Sequence, residues 1–144
     1  MALPFSMAGD NFLIPEHINT WAPKASYTPA RGHLVLLDSL NAKVDRCEAD
    51  ENPEGIIVSI NSSNGAVSVA QFKSGTRITL EYTGTAPTVG QKIEASATPG
   101  FGTLTFTEAS GEPRDTVQVD NTNGVGRVIS VDSTATVKTC VVEF

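Results

Sequence analysis

Histidine and cysteine, which supply the base and the thiol in nucleophilic catalysis, are scarce in this chain, although serine is common. Its 144 residues include two histidines, His17 and His33, and two cysteines, Cys47 and Cys140. A Ser-His-Asp or Cys-His unit needs a nucleophile and a base within hydrogen-bond reach. No serine stands in a G-x-S-x-G sequence, so a pairing of either cysteine with His33 is the catalytic alternative left open. We expect that the protein is not an enzyme.

Motifs for metal ions and phosphate groups are likewise missing from the sequence. There is no C-x-x-C or H-x-x-x-H spacing of the kind that zinc sites use. The G-x-G fragments at 100–102 and 124–126 lack the third glycine and the following helix of a dinucleotide site. Any two of the 16 acidic residues could form a glycosidase pair, but the sequence selects none. We expect no cofactor and no metal.

The net charge of -6 falls entirely on the part of the chain after residue 32. An acidic surface repels phosphate, so we expect no nucleic-acid partner. The densest run of acidic residues has the charge pattern of a solvated loop or sheet edge. Calcium binding is the alternative, although the acids do not have the regular spacing of a calcium loop. The acids of this run, set against Arg46 alone, are Asp45, Glu48, Asp50, Glu51 and Glu54.

The cysteine count and the hydropathy pattern indicate where the protein is made. Two cysteines far apart in sequence are not a disulfide framework, so we expect buried free thiols, with a bridge left open. The first residues lack the basic and apolar regions of a signal peptide. No apolar run approaches the roughly 18 residues that span a bilayer. We expect synthesis in a cytoplasm and no membrane partner.

From residue 32 onward, short apolar or alternating runs separated by turns predict an all-β domain. About nine short strands are typical of a small β-barrel or β-tulip-like fold, and helix signals are confined to residues 14–21. Asn64-Gly65 marks the clearest hairpin turn. The predicted strands are 33–37, 56–60, 66–72, 77–82, 92–97, 103–107, 116–120, 127–131 and 136–144, with a returning partner at 43–47.

Two hairpins of this domain have similar sequences. Residues 55–62 resemble residues 126–133, at an offset of 71 positions, and a valine-rich strand follows each of them. The two valine-rich strands end at Phe72 and Phe144. Either the similarity reflects common hairpin chemistry, or the domain places two hairpins in related positions.

Residues 1–31 have no sustained hydrophobic period, unlike the rest of the chain. They predict an extended N-terminal arm before a β-domain at 32–144. Four prolines interrupt the segment, yet it carries large apolar side chains, each worth about 1.5–3 kcal/mol when fully buried. We expect this arm to bind a neighbouring chain, although it could instead pack on its own domain as a strand or lid. The expected contact residues are Phe5, Phe12, Leu13, Ile14, Trp21 and Tyr27.

Several short runs resemble the small decoration (cement or auxiliary head) proteins of tailed-bacteriophage capsids. They are residues 32–37, 53–58, 65–72, 89–93 and the closing hairpin at 126–144. The resemblance implies a structural protein of the virion, which sits as a homotrimer on the capsid surface and staples neighbouring major capsid subunits with its arm. Two alternatives stay open: another β-rich virion component, such as a tail or fibre domain, and a carbohydrate-binding or adhesin-like module.

Overall fold

The alternating runs of the sequence form short strands in the computed structural model, which describes residues 13–97, 115–134 and 137–144. The described residues contain one 3₁₀ helix, Pro15–His17, and ten strands, so the all-β prediction is confirmed. The strands are β1 Ile18–Pro23, β2 Leu34–Asp38, β3 Lys43–Arg46, β4 Gly55–Ile60, β5 Val67–Gln71, β6 Arg77–Glu81, β7 Ile93–Ala95, β8 Val117–Val119, β9 Arg127–Asp132 and β10 Thr139–Glu143. No helix among the described residues is long and apolar enough to cross a membrane.

Five strands close into a barrel in the order β1-β3-β2-β4-β5. Neighbouring strands are antiparallel except β1 and β3, which run parallel. Four residue pairs join β1 to β5, and two join it to β3. The barrel is therefore closed by β1, a strand that lies within the predicted arm.

The other five strands form a three-stranded sheet, β6-β10-β9, and a two-stranded sheet, β7-β8. Single bridges connect the two sheets, one between Tyr82 and Val117 and one between Ile93 and Val125. The N–H of Gly90 also donates to the carbonyl of Val128 at 2.8 Å. These links make β6 to β10 one curved layer that packs beside the barrel.

Side chains along a strand point alternately to its two faces, and the buried apolar residues therefore fall into two cores. On β4, Ile57 points into the barrel, whereas Ile56 and Val58 point towards β6 to β10. We call the first the barrel core; its buried members are Val35, Val44, Ile57, Val67 and Val69. We call the second the inter-sheet core; it contains Leu13, Leu34, Cys47, Ile56, Val58, Ala70, Ile78, Leu80, Tyr82, Ile93, Ala95, Val117, Val128, Cys140 and Val142.

The structure corrects one part of the sequence interpretation. The helix signal at residues 14–21 is wrong beyond its first turn, because only Pro15–His17 is helical and Ile18–Pro23 is a strand. Strands β2 to β10 match predicted runs, and the predicted strand at 103–107 lies outside the described residues. The barrel thus begins before residue 32, where the sequence placed the boundary of the β-domain.

Both cysteines are free and buried, as predicted. Burial raises the pKa of the Cys47 thiol and of the Cys140 thiol to about 12. Cys47 also lies near Glu51 and Asp115, whose negative charges disfavour a thiolate further. Both groups are therefore neutral thiols at physiological pH, and neither is an activated nucleophile.

We expect the native protein to resist alkylation by iodoacetamide at mildly alkaline pH, while both cysteines react in denaturant. A rise in pKa from 9.0 to about 12 lowers the thiolate fraction roughly 1,000-fold, and the thiolate is the reactive form. Mass spectrometry of the labelled protein measures the reaction at each position. Native labelling as fast as that of a free thiol would contradict the buried placement.

Candidate attachment surface

The structure separates the six residues that the sequence assigned to partner contacts. Phe5 and Phe12 lie outside the described residues. Leu13 is 0% exposed and belongs to the inter-sheet core, so its side chain is buried in its own chain. Ile14, the next residue, is only half-buried.

Trp21 and Tyr27 both pack against the barrel core and remain partly exposed. Trp21 stands on β1 opposite Val67 of β5, which is a member of the barrel core. The Tyr27 hydroxyl lies 2.9 Å from Nδ1 of His33, and the two rings stack with their centroids 5.9 Å apart. Residues 13–31 thus form part of the fold, which differs from the expectation that the arm extends to residue 31.

Half-buried apolar residues lie near Ile14, close to the start of the described part of the chain. The Cδ1 atom of Ile14 lies 2.9 Å from the position that a Cβ on Gly75 would take. The N–H of Gly75 donates to the carbonyl of Phe144 at 2.8 Å. The rings of Phe72 and Phe144 are parallel within 10°, with centroids 4.4 Å apart. We call Ile14, Phe72, Gly75 and Phe144 the exit surface.

The turn at Gly75 holds the exit surface together. Gly75 has φ +96°, a conformation that L side chains rarely adopt, and it has no Cβ to displace Ile14. The turn can therefore bring the ends of β5 and β10 beside residue 14. Phe72 and Phe144 pack against the inter-sheet core, and together with Ile14 they are half-buried, so part of each side chain stays exposed.

Ion pairs join the ends of β6, β9 and β10 on the face of this sheet that points away from the inter-sheet core. Glu143, the neighbour of Phe144, is 2.8 Å from Arg77 and 3.6 Å from Arg127. The hydrogen bond from Arg77 holds the pKa of Glu143 below its ordinary value, so the carboxylate stays ionised. Glu143 thus links β10 to both of its neighbouring strands.

Polar residues near His33 form a second cluster. Its hydrogen bonds link barrel strands β2 and β3 to Asp115, just before β8. Asp115 accepts the N–H of Leu34 at 2.8 Å and pairs with the guanidinium of Arg46. Nδ1 of His33 accepts the N–H of Ala30 at 3.2 Å, which places the neutral ring's proton on Nε2. The Cys47 thiol contacts the carbonyl of Glu48 at 3.8 Å. Within these described contacts, His33 does not serve as a base for Cys47.

The acidic surface contains a linked set of side chains. The amide of Gln118 donates to Asp50 at 3.0 Å and to Glu94 at 2.9 Å. Burial raises the pKa of Glu94, and the nearby Asp120 carboxylate adds to that rise. Among the described residues, however, no three His, Cys, Asp or Glu side chains are placed to hold a metal ion. The acids at 45–54, for which calcium binding was the alternative, form no such group either.

The sequence reasoning did not predict that Phe72 and Phe144 are half-buried neighbours. A signal was present, because each of them ends a valine-rich strand that follows one of the two similar hairpins. In the structure these hairpins are β4–β5 and β9–β10, and the two phenylalanines stack on each other. No protein-family model, curated protein or solved structure matches the chain.

Proposed function

We propose that this protein is a structural decoration protein of a bacteriophage capsid. It binds the outer surface of the assembled shell and staples neighbouring major capsid subunits, which stabilises the head. The observation that carries the proposal is the exit surface: residues 1–12, which include Phe5 and Phe12, join the fold beside the half-buried Ile14, Phe72 and Phe144. One continuous apolar contact can therefore include both the segment and the exit surface.

The length of residues 1–12 supports this role. An extended chain covers about 3.3 Å per residue, so this segment spans up to roughly 40 Å. A folded unit of the size of residues 13–144 has a radius of gyration of about 14 Å. The segment can therefore extend beyond the edge of its own domain and contact an adjacent capsid subunit.

Stabilisation of the shell follows from mass action. A ligand that binds the assembled lattice, and not the separated subunits, shifts the equilibrium towards the lattice by its binding free energy. We propose that three copies bind together as a homotrimer, since linked binding sites raise the effective concentration of each segment. The mechanism needs no bond-making step and no cofactor.

Deletion of residues 2–12 is expected to abolish capsid binding while the thermal unfolding of the protein stays unchanged. Loss of two phenylalanines removes about 3–6 kcal/mol of apolar burial, which corresponds to at least about a 100-fold loss of affinity. Co-sedimentation with capsids of the phage that encodes the protein measures the binding.

Two substitutions test whether capsid binding depends on the exit surface or on any exposed apolar residue. Phe72→Ser is expected to weaken binding, because it removes an apolar face of the exit surface. Leu40→Ser is the matched control, since Leu40 is 92% exposed on the β2–β3 turn. Undiminished binding by both the deletion variant and Phe72→Ser would overturn the proposal.

A further inference from the structure

The hairpin between β4 and β5 carries an exposed Asn-Gly pair that the proposed function does not use. Residues 61–64 are exposed, and Gly65 adopts φ +74°. Apart from Gly65 itself and its two chain neighbours, no described residue has a heavy atom within 4 Å of the position that a Cβ on Gly65 would take. Asn64 and Gly65 therefore have open space around them on a solvated turn.

The chain contains a second Asn-Gly pair, Asn123-Gly124, in a confined loop. A Cβ on Gly124 would lie 2.3 Å from the carbonyl oxygen of Asp120 and 2.8 Å from that of Ile93. The N–H of Asn123 donates to the Asp120 carboxylate at 3.0 Å, and its carbonyl accepts the Asn52 amide at 2.6 Å. The backbone on both sides of this pair is thus fixed by close contacts.

An asparagine followed by glycine can react with its own backbone. The backbone nitrogen of the glycine attacks the side-chain carbon Cγ, the bond from Cγ to Nδ2 breaks, and ammonia leaves with the proton of the attacking nitrogen. Water then opens the cyclic imide at either carbonyl, which gives aspartate or isoaspartate. Glycine favours the first step because it adds no side chain and permits unusual backbone angles.

The hairpin supplies a group that assists this step at Asn64. The N–H of Ala66 donates to Oδ1 of Asn64 at 2.9 Å. As the nitrogen attacks, negative charge develops on this oxygen, and a donor already in place stabilises it. The reaction must break the bond of 2.8 Å from the Gly65 N–H to the Asn61 carbonyl. In an exposed turn such a bond opens by local fluctuation, without global unfolding.

We propose that Asn64 is a site of spontaneous modification, which converts to aspartate or isoaspartate through a succinimide, while Asn123 is protected by its loop. The product adds one negative charge at the tip of the β4–β5 hairpin. The isoaspartate form also lengthens the backbone by one carbon atom. Folded molecules therefore become chemically distinct with age at one end of the barrel.

Peptide mapping by mass spectrometry tests the proposal with an internal control. Trypsin places Asn64 in the peptide 47–73 and Asn123 in the peptide 115–127. The full-length protein is incubated at mildly alkaline pH, either folded or in denaturant. In the folded protein we expect Asn64 to react at least about tenfold faster than Asn123, because its turn opens locally. In denaturant we expect the two rates to converge.

The variant Asn64→Gln is the matched control, because its longer side chain disfavours the five-membered ring. It should lose the modification in the peptide 47–73 and leave that in the peptide 115–127 unchanged. Fragmentation of the peptide assigns the modified position. Reaction of Asn123 as fast as Asn64 in the folded protein, or no product at position 64, would overturn the proposal.

Discussion

Deletion of residues 2–23 is expected to leave a chain that does not fold, whereas deletion of residues 2–12 leaves the fold intact. The longer deletion removes Leu13 from the inter-sheet core and all of β1 from the barrel. It leaves the edges of β5 and β3 unpaired and exposes one side of the barrel core, where Trp21 packs. Exposed sheet edges and an open core favour aggregation over folding.

Circular dichroism and thermal unfolding distinguish the two deletions. The variant without residues 2–12 should show the β spectrum and the cooperative transition of the full-length protein. The variant without residues 2–23 should show neither, or it should be recovered only as aggregate. If the longer deletion unfolds cooperatively at the temperature of the full-length protein, β1 is not needed to close the barrel.

The substitution Leu13→Ala is expected to lower the free energy of unfolding by about 2–5 kcal/mol. This is the range for removing a fully buried leucine side chain, because both apolar burial and close packing are lost. Leu13 is 0% exposed and lies in the inter-sheet core beside residues of both layers. The effect is a large share of the 5–15 kcal/mol that is usual for a domain.

Leu40→Ala provides the matched control for Leu13→Ala. Leu40 has the same side chain but is 92% exposed, so its substitution should change the free energy of unfolding by less than about 0.5 kcal/mol. Chemical denaturation with urea measures both variants. A loss of under 1 kcal/mol for Leu13→Ala, on the order of a surface substitution, would show that residue 13 does not contribute to the core.

Short apolar or alternating runs were sufficient to predict β2 to β10, because each of these strands contains at least one buried residue. It was not sufficient for β1, whose residues are all half-buried or exposed. Proline at position 23 also argued against a strand. In the structure, the N–H of Ala22 donates to the carbonyl of Ala42, just before β3, at 3.2 Å, and that of Lys24 donates to Val44 of β3 at 2.9 Å. The intervening Pro23 needs no donor on that side. Pairing with distant strands therefore decides the conformation of β1.

The candidate site was predicted only in part for a similar reason. The sequence indicated that the first 31 residues contain more large apolar side chains than a solvated segment should expose. It could not divide them between the chain's own cores and a partner, because that depends on where β1 lies. The exit surface combines residue 14 with the ends of β5 and β10, which the turn around Gly75 brings together in space.

Cryo-electron microscopy of capsids incubated with the protein tests the proposed attachment most directly. The proposal predicts density for trimeric barrels at symmetry-related positions on the outer shell. Phe72 and Phe144 should face the shell, and residues 1–12 should continue from Leu13 onto an adjacent major capsid subunit. Bare capsids at saturating protein, or barrels bound with the exit surface directed towards solvent, would contradict it.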